Sequence, residues 1–578
     1  MELYFTFPGW RKKALSFSYD DGTTEDRRLV DIFNKYNFKG TFNISPGRLG
    51  GERFITAEEM ASLYEGHEVA SHGFSHLHLN DLPPEELKRE LQDGRSKLED
   101  ILGRPVVGFA SPYGHHSPYA VSGMREAGFL YARPGARSKS FTLPNDFMRW
   151  FSTIHHRENS AAFSKQLLSD TAWGGKLLFL NIFGHSYEFN RDDNWSVIEE
   201  VGQILSNNKD IWYVTNLDMC NYISAMRSVK ITLDGTVVEN CSSIPLYANW
   251  GDEYGTKNNT PIILPPGTVV DLKTIGAKQP EQAVVIDTGD YAEVDGEFAL
   301  TYPNWKRKAL TFSYDDAHAA DRRLVEIFNR YGMRGTFNVN SKGRLKVIPA
   351  DIQRDSEGRP QCNVTQEEFP SLYKGHEIAL HGAQHETYSS VPWPVVLQDI
   401  SRDKEALEGI LNQPVRGFAY PCGASSKTTE SDTILSAFDV AYARLTTPPP
   451  TDIFALPKDF YSWHPTAHHN GNIAEIGKRF LDSEPGLEPL LCYIWGHSFE
   501  FDGRKNWNVI EEFCAAMSGH DDIWYTTNIA IYDYITASRK LRWSLKKDFV
   551  TNPTATTVYG LVNGNKITIP PHATVAIP

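Results

Sequence analysis

The sequence predicts an α/β protein built twice in tandem, each half a parallel sheet that can close into a barrel and is followed by a small β appendage. Three observations carry this. The same motif-bearing segments recur in the same order in both halves. Strand-like and helix-like runs alternate within each half. The run LLFLNIF (177–183) is too uniformly apolar for a half-exposed strand and suits one covered on both faces, as in parallel sheets.

The repetition is direct. WRKKALSFSYDDG (10–22) returns as WKRKALTFSYDDA (305–317), and GTFNIS (40–45) as GTFNVN (335–340). LYEGHEVASHGFSH (63–76) returns as LYKGHEIALHGAQH (372–385), and GFASPYG (108–114) as GFAYPCG (417–423). FGHSYEF (183–189) matches WGHSFEF (495–501), and DIWYVTN (210–216) matches DIWYTTN (522–528). The second copy carries extra residues, chiefly around 346–362. This is a duplicated large domain, not a solenoid of short units. The predicted division is 1–226 for copy one, 227–298 for a β-rich appendage and linker, 299–537 for copy two and 538–578 for a second β-rich appendage.

Within copy one, ALSFSY is a strand ending at Asp20-Asp21. Leu29, Ile32, Phe33 and Tyr36 then fall at helical spacing. GTFNIS follows as a second strand. A helix opens at Pro84, carries Leu87, Leu91, Leu98 and Leu102 on one face, and stops at Gly103. VVGFA, LLFLNIF and IWYVT are apolar runs bounded by turn residues. The tails are alternating and β-branched: RSVKITLDGTVVEN (227–240) and IILPPGTVVDL (262–272), matched by SRKLRWSLKKDFV (538–550) and ITIPPHATVAI (567–577). Their shared Pro-Pro, at 265–266 and 570–571, predicts a turn or an edge.

Polar residues gather at the C-terminal ends of these strands, the active face of a parallel barrel. Asp20-Asp21 follow SFSY, His72 follows HEVAS, Ser111-Pro112-Tyr113 follow GFA, and His185 follows LNIFG. A hydrolytic zinc site needs about three protein ligands and an open position for water. Asp21, His72 and His76 can supply them. The H-x-x-x-H spacing puts both imidazoles on one face if the segment is helical. Alone the pair is weak, because nineteen histidines make chance pairs common. Its recurrence as His381 and His385, in the same G-H-E-[VI]-A-x-H-G frame, shifts the weight towards a ligand pair. A lone Asp-Asp-Gly reads as a solvated turn; beside two histidines, one carboxylate can be a ligand and the other a base. An unperturbed histidine has a pKa close to neutral pH, so His185 can protonate a leaving group, or simply hydrogen-bond within the rim.

Taken together and in order, SYDDG, H-x-x-x-H, the S-P-Y-G strand end and the L-x-I-x-G-H run resemble the motifs of the polysaccharide deacetylases (carbohydrate esterase family four). That family includes chitin, peptidoglycan and acetylxylan deacetylases. The resemblance covers most of the chain. It implies a distorted (β/α) barrel in each half, and one divalent metal, zinc, held by Asp-His-His in each. Carried over residue by residue, Asp21, His72 and His76 are ligands in copy one, and Asp316, His381 and His385 in copy two. Asp20 and Asp315 are the implied bases, His185 and His497 the implied acids. The backbone N–H of Tyr113, and of Cys422 in copy two, is the implied oxyanion donor. The implied activity is metal-dependent removal of N- or O-acetyl groups from a carbohydrate, with two active sites.

Three departures stand out. Where the family places a base-orienting arginine, this chain has Ala110 and Ala419. Arg133 and Arg444, each in Y-A-R, are candidates to replace it, but the reading preferred from sequence is a surface salt bridge. The family's Asp-Trp motif is not literal: DFMRWFSTIHH (146–156) and DFYSWHPTAHH (459–469) occupy its region. Trp150 and Trp463 there can line the acetyl pocket or pack in the core. The twin histidines His155-His156 and His468-His469 recur without an assigned role. Finally, copy two has Ala317 for Gly22 and Cys422 for Tyr113, which alters the second pocket wall.

Composition bounds the alternatives. A net charge of −14 argues against nucleic acid. No C-x-x-C pair occurs among the six cysteines, so neither a disulfide framework nor a cysteine zinc site is expected. The opening residues do not read as a signal peptide and no window reaches membrane-span length, so a cytoplasmic protein without a membrane partner is expected. Three rival readings stand: a hydrolase of small amides or imides on the same scaffold; a glycan-binding or structural protein, with Trp250 and Tyr254 of the first appendage as stacking faces, although covering barrel surface or joining the copies is the preferred role of the appendages; and one catalytic copy beside one binding copy.

Overall fold

The strand Lys13–Asp20 is the spine of the first half in a computed structural model that describes residues 2–172, 176–251, 259–274, 297–448 and 453–577. Its neighbours on one side are Gly40–Ile44, Glu68–Ser71, Gly108–Ala110 and Tyr131–Arg133, in that order. On the other side lie Leu178–His185 and Ile154–His155, and Ile211–Tyr213 also pairs with the spine. Every pairing is parallel. Both faces of Leu178–His185 are covered, as its uniform apolarity requires. The two free edges are joined by an irregular segment: Trp150 N–H donates to Ala132 O (3.1 Å) and Ser138 N–H to Ser152 O (2.8 Å). The barrel is distorted because a stretch without a regular ladder closes it.

The second half repeats this order around Lys308–Asp315, again wholly parallel, with the same closure from Trp463 N–H to Ala443 O (3.1 Å). Helices follow their sequence signals. Asp26–Lys35 buries Leu29, Ile32 and Phe33, and Pro84–Leu102 opens on its proline and ends at Gly103 with φ 61°. Gly103 suits that left-handed cap because it lacks a Cβ.

The tails form paired small sheets. Glu2–Thr6, Leu246–Gly251 and Thr260–Leu264 make one, and Lys230–Ile231, Val237–Glu239 and Val269–Asp271 another, with Pro265-Pro266 in the turn between them. Phe298–Thr301, Val558–Val562 and Asn565–Ile569, with Arg542–Trp543, Phe549–Thr551 and Thr574–Ala576, repeat the arrangement. Trp250 is buried in the sheet it belongs to and offers no open stacking face; Tyr254 lies outside the described residues.

Each tail packs on the opposite half. Leu545 N–H donates to Glu99 Oε2 (2.7 Å), and the equivalent Leu233 N–H donates to Glu408 Oε2 (3.0 Å). Lys546 pairs with Asp100 (2.6 Å), and Asn412 with Asp271 (2.7 Å). Between them, Ser242 and Thr554, which occupy matching positions of the two tails, form an antiparallel bridge with each other. All six cysteines are free, and among the described residues no helix is long and apolar enough to cross a membrane.

Candidate active sites

Register assembles the first site. Parallel pairing sets Asp20 directly beside Asn43 on one neighbour and His185 on the other. The chain then breaks into a left-handed turn, with Asp21 at φ 81° and Gly22 at 68°. That turn aims the two adjacent carboxylates differently. Asp20 stays buried and pairs with Arg133, while Asn43 Nδ2 donates to its Oδ1 at 2.8 Å. Burial would raise the Asp20 pKa, but the guanidinium, helped by His72 and His185, holds it down at about 2. Arg133 is thus no surface salt bridge, as preferred from sequence. It lies in the barrel, its guanidinium also donating to Ser18 Oγ (3.0 Å). The reason is positional: Tyr131–Arg133 is a strand whose last side chain enters the barrel beside the spine.

Asp21 faces the histidines, with His76 Nε2 at 3.3 Å and His72 Nε2 at 3.9 Å from its Oδ1. The segment that carries the two histidines is not helical; they sit on a loop after Glu68–Ser71. Left-handed backbone at Gly73 (φ 76°) and His76 (φ 65°) folds that loop so the rings approach, centroids 4.8 Å apart. His72 donates Nδ1–H to Ala110 O at 2.8 Å, which fixes the tautomer and leaves Nε2 to face the carboxylate. Burial lowers the pKa of His72, and that of His76 to about 4, keeping both rings neutral and ready to ligate. One carboxylate and two neutral imidazoles with converging free nitrogens fit a divalent cation. Arg48 Nη1, 3.2 Å from Asp21 Oδ1, is a neighbour that the motifs did not signal.

The second site repeats the plan with differences. Asp315 is buried against Arg444 (2.6 Å) and Asn338 (2.7 Å), and Arg444 too is wholly inside. Burial would raise the Asp315 pKa; Arg444, His381 and His497 lower it below the carboxylate range. Asp316 turns at φ 79°, with Ala317 in Gly22's place at φ 45°. His381 donates Nδ1–H to Ala419 O (2.8 Å) and leaves Nε2 buried with no hydrogen-bond partner among the described residues. Its ligand set is looser: Asp316 Oδ1 lies 3.8 Å from His381 and 4.0 Å from His385, whose side chain is 38% exposed against 11% for His76. Arg344, unlike Arg48, is spent on the backbone carbonyls of Asn340, Ala317 and Asp316.

Across each site, His185 Nδ1 lies 3.5 Å from Glu188 Oε2, and His497 Nδ1 2.8 Å from Glu500 Oε1. Burial would lower the His185 pKa, but Glu188, Asp20 and Asp21 raise it above the ordinary imidazole value. His497 Nε2 comes within 3.8 Å of Asp315. The glutamates were visible only as the E of H-S-[YF]-E-F in both copies. Tyr113 (φ 56°) and Cys422 (φ 59°) share a left-handed backbone, uncommon for such residues and found at functional turns. Tyr113 is exposed and stacks on His78, centroids 3.6 Å apart, whereas Cys422 meets Thr387. The pocket role raised for Trp150 and Trp463 does not hold. Each is 1% exposed, packed on Tyr131 and Phe179 or on Tyr442 and Tyr493.

Two segments of the chain, 9–132 and 303–442, match the family model described as polysaccharide deacetylase. A polysaccharide deacetylase-type protein of Bacillus subtilis (strain 168), YxkH, is 23% identical over 133 residues, 22% of this chain and 48% of that protein. Chitin deacetylase 1 of Cryptococcus neoformans var. grubii is 32% identical over 106 residues, 18% of this chain and 22% of that protein. The chain therefore spans less than half the length of these curated relatives. Among solved structures, the Xyl-CE4 domain of a multidomain xylanase from the Trinervitermes trinervoides hindgut metagenome aligns at 18% identity and TM-score 0.28, over 37% of this chain and 92% of that one.

Proposed function

Since both halves of this chain belong to the polysaccharide deacetylase family, we propose that it is a hydrolase that removes acetyl groups from an N- or O-acetylated carbohydrate, with one metal-dependent site per half. The observation that carries the reading is the complete set, present twice: a buried Asp–Arg pair, an Asp-His-His group with converging free nitrogens, and a histidine across the site. The catalytic units are taken as 1–226 and 299–537, with the appendages joining them.

Asp21, His72 and His76, and Asp316, His381 and His385, would hold a divalent metal, which would supply Lewis acidity; the donor set suits zinc. Asp20 and Asp315, ionised at neutral pH, accept the proton of the attacking water. Arg133 and Arg444 orient those carboxylates, the task that Ala110 and Ala419 cannot perform. The peptide N–H of Tyr113 or Cys422 donates to the oxyanion. His185 or His497 gives its proton to the departing sugar nitrogen or oxygen as the acyl bond breaks, and acetate is released. Glu188 beside His185 Nδ1 favours the protonated acid, and Glu500 stands in the same place beside His497 Nδ1.

The test is acetate release from N-acetylated chitooligosaccharides and from O-acetylated xylan. Release is expected with zinc and is lost on chelation. Asp20→Asn and Asp315→Asn should each remove one site's share, and the double variant all of it. Zinc-independent release, or none from any acetylated glycan, overturns the reading. The looser ligands and missing Tyr in the second half favour a second reading, in which that half binds sugar without cleaving it. Full loss of activity in Asp20→Asn alone would select it.

A further inference from the structure

We propose that each half holds a second divalent-metal site, built by His155, His156 and Glu188 in the first half and by His468, His469 and Glu500 in the second. It shares no residue with the Asp-His-His group, and it absorbs the twin histidines, the one recurring motif the hydrolytic reading leaves unused.

The fold brings the three side chains together from two directions. Ile154–His155 and Ala467–His468 are short strands that pair in parallel with Leu178–His185 and Leu490–Gly496. The glutamate comes from the helix that begins just past those longer strands, Tyr187–Arg191 or Phe499–Arg504. In the first half, Nε2 of His155 and of His156 lie 3.1 and 3.4 Å from the same oxygen, Glu188 Oε2. In the second, Nε2 of His468 and of His469 lie 3.3 and 3.6 Å from the Glu500 oxygens. A four-coordinate ion with bonds of about 2.0–2.1 Å keeps its donors roughly 3.3 Å apart, so these separations suit a ligand set; Nδ1 of His155 and of His468 accepts a backbone N–H, from Arg157 (3.3 Å) and Asn470 (3.1 Å), so the ion would take the place of the Nε2 proton that faces the glutamate. They are tighter than those of the Asp316 group.

Hydrogen bonding does not account for the buried rings. His156 is 1% exposed and His469 0%, and in both rings neither nitrogen has a hydrogen-bond partner among the described residues. Buried polar groups without a partner are rare, and each calls for an explanation such as an ion. Here the same one occurs at matching positions of both halves. The rings are also fixed in place. His156 lies between Tyr19 (5.7 Å, 11°) and Phe189 (4.3 Å, 24°), and His469 between Tyr314 (5.6 Å, 12°) and Phe501 (4.1 Å, 26°). The Nδ1 edge is shut by backbone: a Cβ on Gly184 would lie 2.1 Å from His156 Nδ1, and one on Gly496 1.9 Å from His469 Nδ1. Only Nε2 is left to act, and it is the atom that faces the glutamate. His155, 14% exposed at its side chain, gives an entry path.

The surroundings orient the carboxylate and separate the two halves. Arg157 and Arg191 each approach Glu188 Oε1 at 3.3 Å, which turns Oε2 towards the histidines. Asn470 and Gly503 stand at those places in the second half, where Asn470 bonds Glu500. Two guanidinium charges pair with the glutamate in the first half, whereas in the second only Arg504 acts on the histidines, so the second half holds its ion more tightly. Two imidazoles and one carboxylate select a first-row divalent ion such as zinc or cobalt.

The test counts metal on the full chain, stripped, reloaded with zinc or with cobalt, and dialysed. Four ions per chain are expected, one for each of the four groups. Asp21→Asn with Asp316→Asn should leave two, and Glu188→Gln with Glu500→Gln should also leave two. His155→Ala with His468→Ala, at partly exposed positions, repeats the loss without disturbing the buried ring; circular dichroism confirms folding. In cobalt-loaded protein lacking the Asp-His-His ligands, visible bands should persist and vanish on His155→Ala with His468→Ala. Two ions in the parent chain that disappear entirely with Asp21→Asn and Asp316→Asn overturn the proposal, as do four ions unaffected by the histidine changes. Acetate release is read separately, so failure of the hydrolytic reading leaves this count intact.

Discussion

Gly22 and Ala317 show how one methyl group is accommodated at the turn that follows Asp21 and Asp316, the proposed metal ligands. The turn demands positive φ, 68° at Gly22 and 45° at Ala317, which costs an L-residue about 1–2 kcal/mol. A Cβ at Gly22 would also meet Ile44 Cδ1 at 2.8 Å. The second half carries Val339 where the first has Ile44, and valine lacks that carbon. Gly22→Ala should therefore destabilise the protein by about 2 kcal/mol, strain and clash together. Ile44→Val alone should cost about 1 kcal/mol. The double variant should be about 1 kcal/mol more stable than the sum of the two, because the clash is removed while the strain remains. Denaturant unfolding checks the cycle, and simple additivity would count against the contact.

At the scale of elements, the helices that follow the two spines begin on an acid in an unusual state. Asp26 and Asp321 open Asp26–Lys35 and Asp321–Arg330, where a helix N-terminus favours a charged carboxylate. Burial outweighs this, and despite hydrogen bonds from Tyr64 (2.6 Å) and Tyr373 (2.7 Å) it pushes both pKa values up to about 7. The unfolded chain releases these protons near pH 4, the folded one near 7. Between those values the native state binds more protons, so this contribution to stability falls as pH rises and is flat outside the window. Asp26→Asn with Asp321→Asn should flatten the decline in melting temperature from pH 4 to 7; an unchanged slope would count against burial as the cause. Both strands and helices were legible because period and punctuation report them: LLFLNIF is a covered strand, and Pro84 to Gly103 bounds a helix. Much of the rim was legible too, since it sits at strand ends. What was not legible depends on the third dimension. The H-x-x-x-H pair sits on a loop because of positive φ at Gly73 and His76, which no spacing reveals. Arg133 reaches Asp20 across three intervening strands, a neighbourhood set by sheet order alone. Trp150 faces the core because the closing segment turns it inward.

For the whole molecule, the tails tie the halves together by reciprocal contacts, Leu545 on Glu99 and Leu233 on Glu408. Cutting the chain at a protease site introduced within 275–296 should leave two fragments that co-elute in size-exclusion chromatography at moderate salt. Separation into two peaks would mean that the tail contacts are too weak to hold. Ser242 meets Thr554, its own counterpart, which places that pair on an approximate two-fold axis. An ancestral chain with a single copy would meet itself there, as a homodimer whose subunits exchange arms. Fusing two such genes fixes the stoichiometry at one to one and releases the subunits from identity. A homodimer must accept every mutation twice; this chain can change Tyr113's counterpart to cysteine, or Gly22's to alanine, on one side only. In a single duplicated chain the two rims are free to differ, and they do: Cys422 stands for Tyr113 and Ala317 for Gly22 on one side only.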